Sequence, residues 1–228
     1  SILAYKEMGY LPEAMINYLV RLGWSFGDQE VFSIAELIEK FDFDHVQKSS
    51  AVFNPDKLLW MNAHYIQHSD PKRIAGLLQP FLEQAGLGAE ARARPEGWME
   101  KLIVAFQERS KTLAEMASAA TLYLKDELTF DEAAVKKFLT PALAPALEKL
   151  TARIEASADF SSTALEGTFK RVLEEEGLTM GQLAQPVRVA LTGGTASPGL
   201  FEVMDLLGRD RTVARLRQGI KRAQASHP

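Results

Sequence analysis

Apolar positions recur at helical intervals along nearly the whole chain. The first clear segment runs from Pro12, a residue typical of a helix start, to Gly23, a residue typical of a helix end. Start signals precede the later segments: Ser33 with Glu36, Asn54 with Pro55, Asp70 with Pro71, Thr112 with Glu115, Asp131, Thr140 with Pro141, Ser161, and Ser197 with Pro198. The alternation typical of a strand never extends beyond a few residues, so the pattern predicts an all-α fold.

Breaks in this pattern predict how the chain is organised. Gly86, Gly177 and Gly208 stand where helices should stop, and residues 86–97 have the composition of an exposed connection. A long helix is predicted over about 95–109. Asp70-Pro71 marks the predicted boundary between a region 1–70 and a domain 71–228, with a further division into 71–158 and 159–228 left open.

Composition is that of an ordinary soluble globular chain. Its 228 residues suffice for one large domain or two small ones, and 46% are hydrophobic and 25% charged. No stretch approaches the roughly 18 apolar residues of a membrane span. Cysteine is absent, which excludes disulfides, and the first residues lack the layout of a signal peptide. Because residue 1 is Ser and not Met, we expect a fragment.

Charge is unevenly distributed along the sequence. The net charge is −4, whereas residues 181–228 carry seven Lys and Arg against three Asp and Glu, a net of +4. A basic C-terminal segment is compatible with RNA contact, although it can equally serve to solubilise a last helix. The residues in question are Arg209, Arg211, Arg215, Arg217, Lys221 and Arg222.

Catalytic and metal-binding chemistry is not apparent in the sequence. Of the four histidines, His64 and His68 share a helix face, but two ligands without a third favour surface histidines over a metal site. No GxSxG element and no zinc helix motif occurs. The segment 192–195 lacks the lysine of a phosphate loop and is interpreted as a polar turn. We therefore predict no catalytic, cofactor or metal residue in this chain.

Two groups of motifs resemble one protein family. GYLPEA at residues 9–14, NYLVRLGW at 17–24, GDQE at 27–30 and FNPDKLLWMN at 53–62 resemble the segment after the KMSKS-type ATP loop of bacterial glutamyl-tRNA synthetases. QLAQPVRVALTG at 182–193 and SPGLFE at 197–202 resemble the anticodon-binding domain of the same family. The motifs are collinear and cover essentially the whole chain.

The resemblance implies a helical stem-contact region over residues 1–70, followed by an α-helical cage that binds the anticodon. It implies glutamate tRNA as the partner, no DNA or membrane, a cytoplasmic location and a monomer. It also implies that ATP, Mg²⁺ and glutamate are bound by a catalytic domain outside this chain. The parent would be a glutamate–tRNA ligase, and this fragment alone should be inactive.

Arg109 is the first candidate for recognition of tRNA. Glutamate anticodons end in C and glutamine anticodons in G, and an arginine, which carries only donors, matches the acceptors of cytosine but meets donors on guanine. The family has an arginine just before a Thr-Leu helix start, and Arg109 precedes Ser110, Lys111, Thr112 and Leu113. The alternative is a solvated arginine favoured by the helix dipole.

Three further candidates lie near the C terminus. By resemblance, Arg188 contacts the anticodon loop, and Ser197 and Leu200 line the site for the wobble base. Arg188 is flanked by apolar residues, so its head group needs a partner or exposure, and an intramolecular salt bridge is the alternative. Leu200 taken alone would be a core residue.

Lys57, Trp60 and Lys48 are the candidates for contact with the tRNA backbone in the first region. Lysine neutralises phosphates, and Trp60 can either stack on RNA or pack in the core. A helical protein–protein scaffold without an RNA role remains the alternative for the whole chain. A fragment of a glutaminyl enzyme is disfavoured, because that family typically carries β-barrel anticodon domains.

Overall fold

The all-α prediction is confirmed. The computed structural model describes residues 1–47 and 51–225, and within them all regular elements are helices, with only two isolated β-bridges. A 3₁₀ turn at Pro141–Leu143 precedes the tenth α-helix. The α-helices are α1 (Ile2–Glu7), α2 (Pro12–Gly23), α3 (Ile34–Lys40), α4 (Pro55–Gln67), α5 (Pro71–Gln84), α6 (Gly88–Arg92), α7 (Trp98–Phe106), α8 (Leu113–Leu124), α9 (Glu132–Phe138), α10 (Ala144–Ala156), α11 (Ser162–Glu176), α12 (Met180–Thr192), α13 (Leu200–Leu207) and α14 (Arg209–Ala225).

Side-chain caps explain where many of these helices begin. Ser33 Oγ accepts from the N–H of Glu36, and the Glu36 carboxylate accepts from the N–H of Ser33, which is the predicted capping box. These bonds and that to Gln29 lower the pKa of Glu36 to about 2. Caps are also confirmed at Asn54, Asp70, Asp131 and Ser161.

The structure corrects three boundaries. The predicted helix over 95–109 is shorter, because α7 begins only after Gly97 and ends at Phe106. The predicted connection 86–97 contains α6, and Leu87 before it is buried, so apolar contact orders this segment. Finally, α13 is capped at Gly199 and not at the predicted Ser197-Pro198 start.

The chain forms two compact units, Ser1–Thr121 and Leu122–Pro228. The sequence-based division at residues 70/71 lies inside the first unit, and the optional one at 158/159 lies inside the second. Both concern functional regions and stay predictions. Over the described residues, no helix combines the length and apolar character needed to cross a membrane.

Two apolar clusters organise α2 and its neighbours in the first unit. Met15, Tyr18, Leu58 and Met61 join α2 to α4, while Trp24, Phe32 and Leu37 form a second cluster beside α3. Burying a large apolar side chain contributes about 1.5–3 kcal/mol. The first cluster therefore holds α2 against α4, and the second holds the end of α2 against α3.

The second unit is built around α14, which packs against α10, α12 and α13. Gly219 of α14 lies against Ala190 of α12 so closely that an added Cβ would come within 2.4 Å of the Ala190 Cβ. Leu147, Leu150 and Leu216 are fully buried between these helices. The last helix of the chain is thus part of the core of its unit.

Candidate nucleic-acid interface

Arg109 lies in a turn at the end of α7. The backbone N–H groups of Arg109 and Ser110 both donate to the Phe106 carbonyl at 2.9 Å. Ser110 is buried, whereas Arg109 is exposed. Within residues 1–47 and 51–225, the Arg109 guanidinium has no hydrogen-bond or ion-pair partner. All five of its donors are therefore available to a ligand.

The far side of the same turn is closed by the start of α8. Thr112 Oγ1 accepts from the Glu115 N–H at 3.1 Å, and Glu115 Oε2 accepts from the Lys111 N–H at 2.7 Å. This is the predicted pairing in modified form, because the carboxylate bonds one residue earlier than in a standard capping box. The Arg109 turn, residues 107–112, is hence fixed by backbone hydrogen bonds at its start and by side-chain bonds to the backbone at its end.

Arg188 and Ser197 are brought together in the second unit. Arg188 on α12 is half-buried, and its Nη1 donates to Ser197 Oγ, to Ser197 O at 3.4 Å and to Pro198 O at 2.8 Å. Among its partners are the hydroxyl and two carbonyls of the segment that precedes α13. Arg188 therefore fixes the segment that leads into α13.

Leu200 is the first residue of α13 and is 7% exposed. Its helix is capped by the Glu202 carboxylate, which accepts from the Gly199 N–H at 2.7 Å. Leu200 packs largely as a core residue, and only a small part of its surface can line a ligand site.

Lys57 already has an anionic partner. Its Nζ lies 2.7 Å from Glu30 Oε1, and this hydrogen bond holds the pKa of Glu30 below its usual range. The Lys57 side chain is 37% exposed. A phosphate that binds here must compete with Glu30. Lys48, the third candidate of this region, lies outside the described residues.

Trp60 is 47% exposed, so the core-packing alternative is wrong for this residue. It lies one helical turn from His64 on α4, with ring centroids 6.1 Å apart, and His64 stacks on His68 at 4.0 Å. Burial, then the neighbouring His68, lowers the pKa of His64. Among the residues that the structure describes, no three His, Asp or Glu side chains form a potential metal site.

The C-terminal arginines are used inside the second unit. Arg215 is 2% exposed and donates to the carbonyls of Leu191, Leu122 and Lys125 at 2.7–3.0 Å. Arg211 donates to the carbonyls of Tyr123 and Leu124 at 2.8 and 3.2 Å and contacts Asp126. Burial lowers the pKa of Arg215 to about 10, which leaves it charged at neutral pH.

The other arginines of α14 also have internal partners. Arg209 donates to the Ala158 carbonyl, Arg217 binds both oxygens of Glu155, and Arg222 pairs with Glu132. The RNA-contact and solubilising interpretations of this basic segment both stay predictions, since exposed pairs such as Arg217 with Glu155 leave about half of each side chain accessible. Its arginines mainly connect α14 to other parts of the unit.

The sequence did not point to Asn62, which is fully buried on α4 and donates to the Lys111 carbonyl at 2.7 Å. Its only signal is position, since it follows Met61 within the apolar register that also holds Leu58 and Ile66. A polar residue on a core-facing position requires internal partners.

Comparison with known proteins decides the family. A model of the anticodon binding domain matches residues 73–220. The chain belongs to the anticodon binding domain family. Residues 1–60 also match the model of the catalytic domain of class I tRNA synthetases for E and Q.

Two relatives and one solved structure that resemble this chain are glutamate–tRNA ligases. The chain is 52% identical over 220 residues to a glutamate–tRNA ligase of Geotalea uraniireducens and 50% identical to one of Geobacter sulfurreducens, in each case covering 96% of this chain and 46% of the relative. A glutamate tRNA ligase structure from Elizabethkingia meningosepticum, in complex with its amino acid, matches with a TM-score of 0.86 at 29% identity. That match covers 95% of this chain and 42% of the other. The chain thus spans about half the length of these relatives. The alternative of a helical protein–protein scaffold without an RNA role is not favoured.

Proposed function

We propose that this chain is the tRNA-recognition part of a glutamate–tRNA ligase and binds the anticodon loop and inner stem of glutamate tRNA. The match of residues 73–220 to the anticodon binding domain supports it most directly. In this proposal the whole protein charges the tRNA in an ATP-dependent reaction in the cytoplasm, as a monomer.

Catalysis belongs, in this proposal, to a part of the relatives that this chain does not span. The chain covers 46% of the Geotalea relative, and no described group of residues has the composition of a metal site. The catalytic domain would hold ATP and Mg²⁺, which would supply the activation of the glutamate carboxyl group. The chain alone is expected to bind RNA without ligase activity.

Arg109 would recognise the third base of the anticodon. It is exposed, it has no partner among the described residues, and its backbone is fixed at the end of α7. Two parallel donors of a guanidinium fit the O2 and N3 acceptors of cytosine, whereas guanine presents donors there. One good bidentate contact contributes about 1–3 kcal/mol of discrimination, or roughly 5- to 150-fold.

Arg188, Ser197 and Leu200 would form the second contact with the anticodon loop. Arg188 supports this by fixing the Ser197 and Pro198 carbonyls, which holds Ser197 and the start of α13 in place beside it. Ser197 is half-buried, so its exposed part can border a base. Leu200 would add a small apolar surface.

Contacts with the inner stem would come from α4 and the segment before it. The exposed Trp60 can stack on a base or sugar, and Lys57 can bind phosphate once it leaves Glu30. Lys48 is proposed for a backbone contact on the resemblance alone.

Binding of the chain to three RNAs tests the proposal. These are glutamate tRNA, glutamine tRNA and a glutamate tRNA with G in place of C at the third anticodon position. Salt is fixed first and then varied, because phosphate contacts make affinity salt-dependent. We expect preference for the C-bearing RNA, and its loss in Arg109→Ala.

Two outcomes would contradict parts of the proposal. Equal binding of all three RNAs by the unaltered chain would remove Arg109 as the base reader. Absence of binding at low salt would count against RNA recognition by this chain.

A further inference from the structure

Gln107 ties the beginning of the Arg109 turn to α4. Its Nε2 donates to the Ile66 carbonyl at 3.0 Å and to the Ser69 carbonyl at 2.8 Å. The Ile66 carbonyl also accepts from the Ser69 N–H at 3.2 Å, so Gln107 adds its two bonds to the segment in which α4 ends. Gln107 stands two residues before Arg109, at the point where α7 ends.

Asn62 ties the other end of the turn to the same helix. Its Nδ2 donates to the Lys111 carbonyl at 2.7 Å, two residues after Arg109. Its Oδ1 accepts from the Leu11 N–H at 2.8 Å. Because one partner is a donor and the other an acceptor, the amide can take only one orientation. Asn62 is fully buried, so these bonds have no competition from water.

Gly9 is a third part of this connection. Its carbonyl accepts from Asn62 Nδ2 at 3.4 Å and from the Leu113 N–H at 3.0 Å, at the first residue of α8. Its φ is +86°, and an added Cβ would come within 2.6 Å of the Leu113 nitrogen. The start of α8 is thus held directly against the segment that precedes α2.

We propose that Gln107 and Asn62 are positioning residues for Arg109 and set the fidelity with which it separates C from G. The inference rests on the proposed function of Arg109. A bidentate contact is selective only if the planar group is held in place, because a loose group can turn to accept either base and loses more entropy on binding. The two amides restrain the turn on either side of Arg109 while leaving its guanidinium without an internal partner.

Asn17 provides a matched control. It is also fully buried, lies on α2 in the same unit, and makes three hydrogen bonds: Nδ2 to the Glu30 carbonyl, and Oδ1 from the Phe32 N–H and the Tyr65 hydroxyl. None of these partners belongs to the Arg109 turn. Asn17→Ala therefore measures general loosening of the unit.

The experiment compares four variants of the full 228-residue chain: Asn62→Ala, Gln107→Met, Asn17→Ala and Arg109→Ala. The first readout is the ratio of affinities for two synthetic anticodon stem-loops that differ only in C or G at the third anticodon position. The second is amide hydrogen exchange of peptides covering residues 107–113, measured without RNA. Gln107→Met is the milder change, since Gln107 is only half-buried, and it keeps the test valid if Asn62→Ala fails to fold.

We expect Asn62→Ala and Gln107→Met to lower the ratio of affinities for the C- and G-bearing stem-loops at least about fivefold. That is the lower limit of the discrimination that one bidentate contact provides. Exchange at 107–113 should rise in both, whereas Asn17→Ala should leave the ratio and this exchange unchanged. If Arg109→Ala removes the ratio while the two amide variants retain it, the positioning role is wrong although the proposed function stands. If Arg109→Ala leaves the ratio unchanged, the proposed function itself is wrong. If neither RNA binds, unchanged exchange at 107–113 in the amide variants still overturns the positioning role.

Discussion

The Arg109 turn and helix α14 use arginine in opposite ways. Arg109 has a fixed backbone and an exposed guanidinium with no partner among the described residues. Arg215 is buried and donates to three carbonyls, and Arg211 beside it donates to two more. In a structure, the capacity of an arginine to bind a ligand depends on the donors that remain unused and not on the local density of charge.

Local net charge therefore does not show which arginines have unused donors. Residues 181–228 carry a net charge of +4, yet all six of their arginines bond to carbonyls or carboxylates within the second unit. Arg109 lies in a chain of net charge −4, and no other arginine lies in its turn. The comparison can be tested by changing each arginine, or by releasing a paired cation.

The largest effect is expected for Arg215→Met. The change removes one buried and two partly buried hydrogen bonds that the charged guanidinium donates to carbonyls. Each such loss costs about 1–3 kcal/mol, so the free energy of unfolding should fall by about 3 kcal/mol or more. Urea denaturation measures it, with Lys221→Met, an exposed position of the same helix, as control. A loss below about 1 kcal/mol would show that the arginine is dispensable for the unit.

Arg109→Lys should come next in size. Lysine keeps the charge but lacks the planar fork, so discrimination between C- and G-bearing RNAs should fall by about 1–3 kcal/mol. The salt dependence of binding should stay the same, and the free energy of unfolding should change by less than about 0.5 kcal/mol. Retained discrimination would mean that only the charge matters.

Glu30→Gln should release a paired cation. Without the carboxylate, Lys57 loses its ion pair and becomes free to bind phosphate. We expect tighter tRNA binding and a slope of log affinity against log salt that is steeper by about 0.7–0.9, the value for one added phosphate contact. Lys57→Met in the Glu30→Gln background is the control and should abolish the gain.

The smallest effect is expected for Arg217→Ala. Its pair with Glu155 is half exposed, with side chains 56% and 50% accessible, so the loss of stability should be about 0.2–1 kcal/mol. The salt dependence of tRNA binding should not change. A flatter salt dependence in this variant would place α14 in the RNA interface after all.

Local signals were sufficient for most helix starts. Ser33, Asn54 and Asp131 cap helices through bonds that span two or three residues, and such short-range chemistry is encoded in the adjacent sequence. The start of α13 lies later than the predicted Ser197-Pro198 start. The Ser197 hydroxyl, which would have capped it, bonds to Arg188 of α12. The extent of α7 was overestimated because periodicity alone does not mark the turn that carries Arg109.

The candidate site was predictable only in part. Arg109, Arg188 and Ser197 were found through motifs, and the structure adds that the last two are in contact. The partners of Arg215 lie 24 to 93 residues away along the chain and are backbone carbonyls, which leave no mark on the sequence. The same holds for Asn62, whose partners come from segments 49 to 53 residues away.

The carbonyl bonds of α14 also bear on how the chain folds as it is synthesised. Carbonyls of residues 122–125 at the end of α8 receive their donors from Arg211 and Arg215, which are translated some 90 residues later. Until those residues leave the ribosome, this end of α8 can be satisfied only by water. The first unit contains the partners of Asn62 and Gln107 and can close earlier, so the nascent chain should acquire its Arg109 turn before its second half becomes resistant to protease.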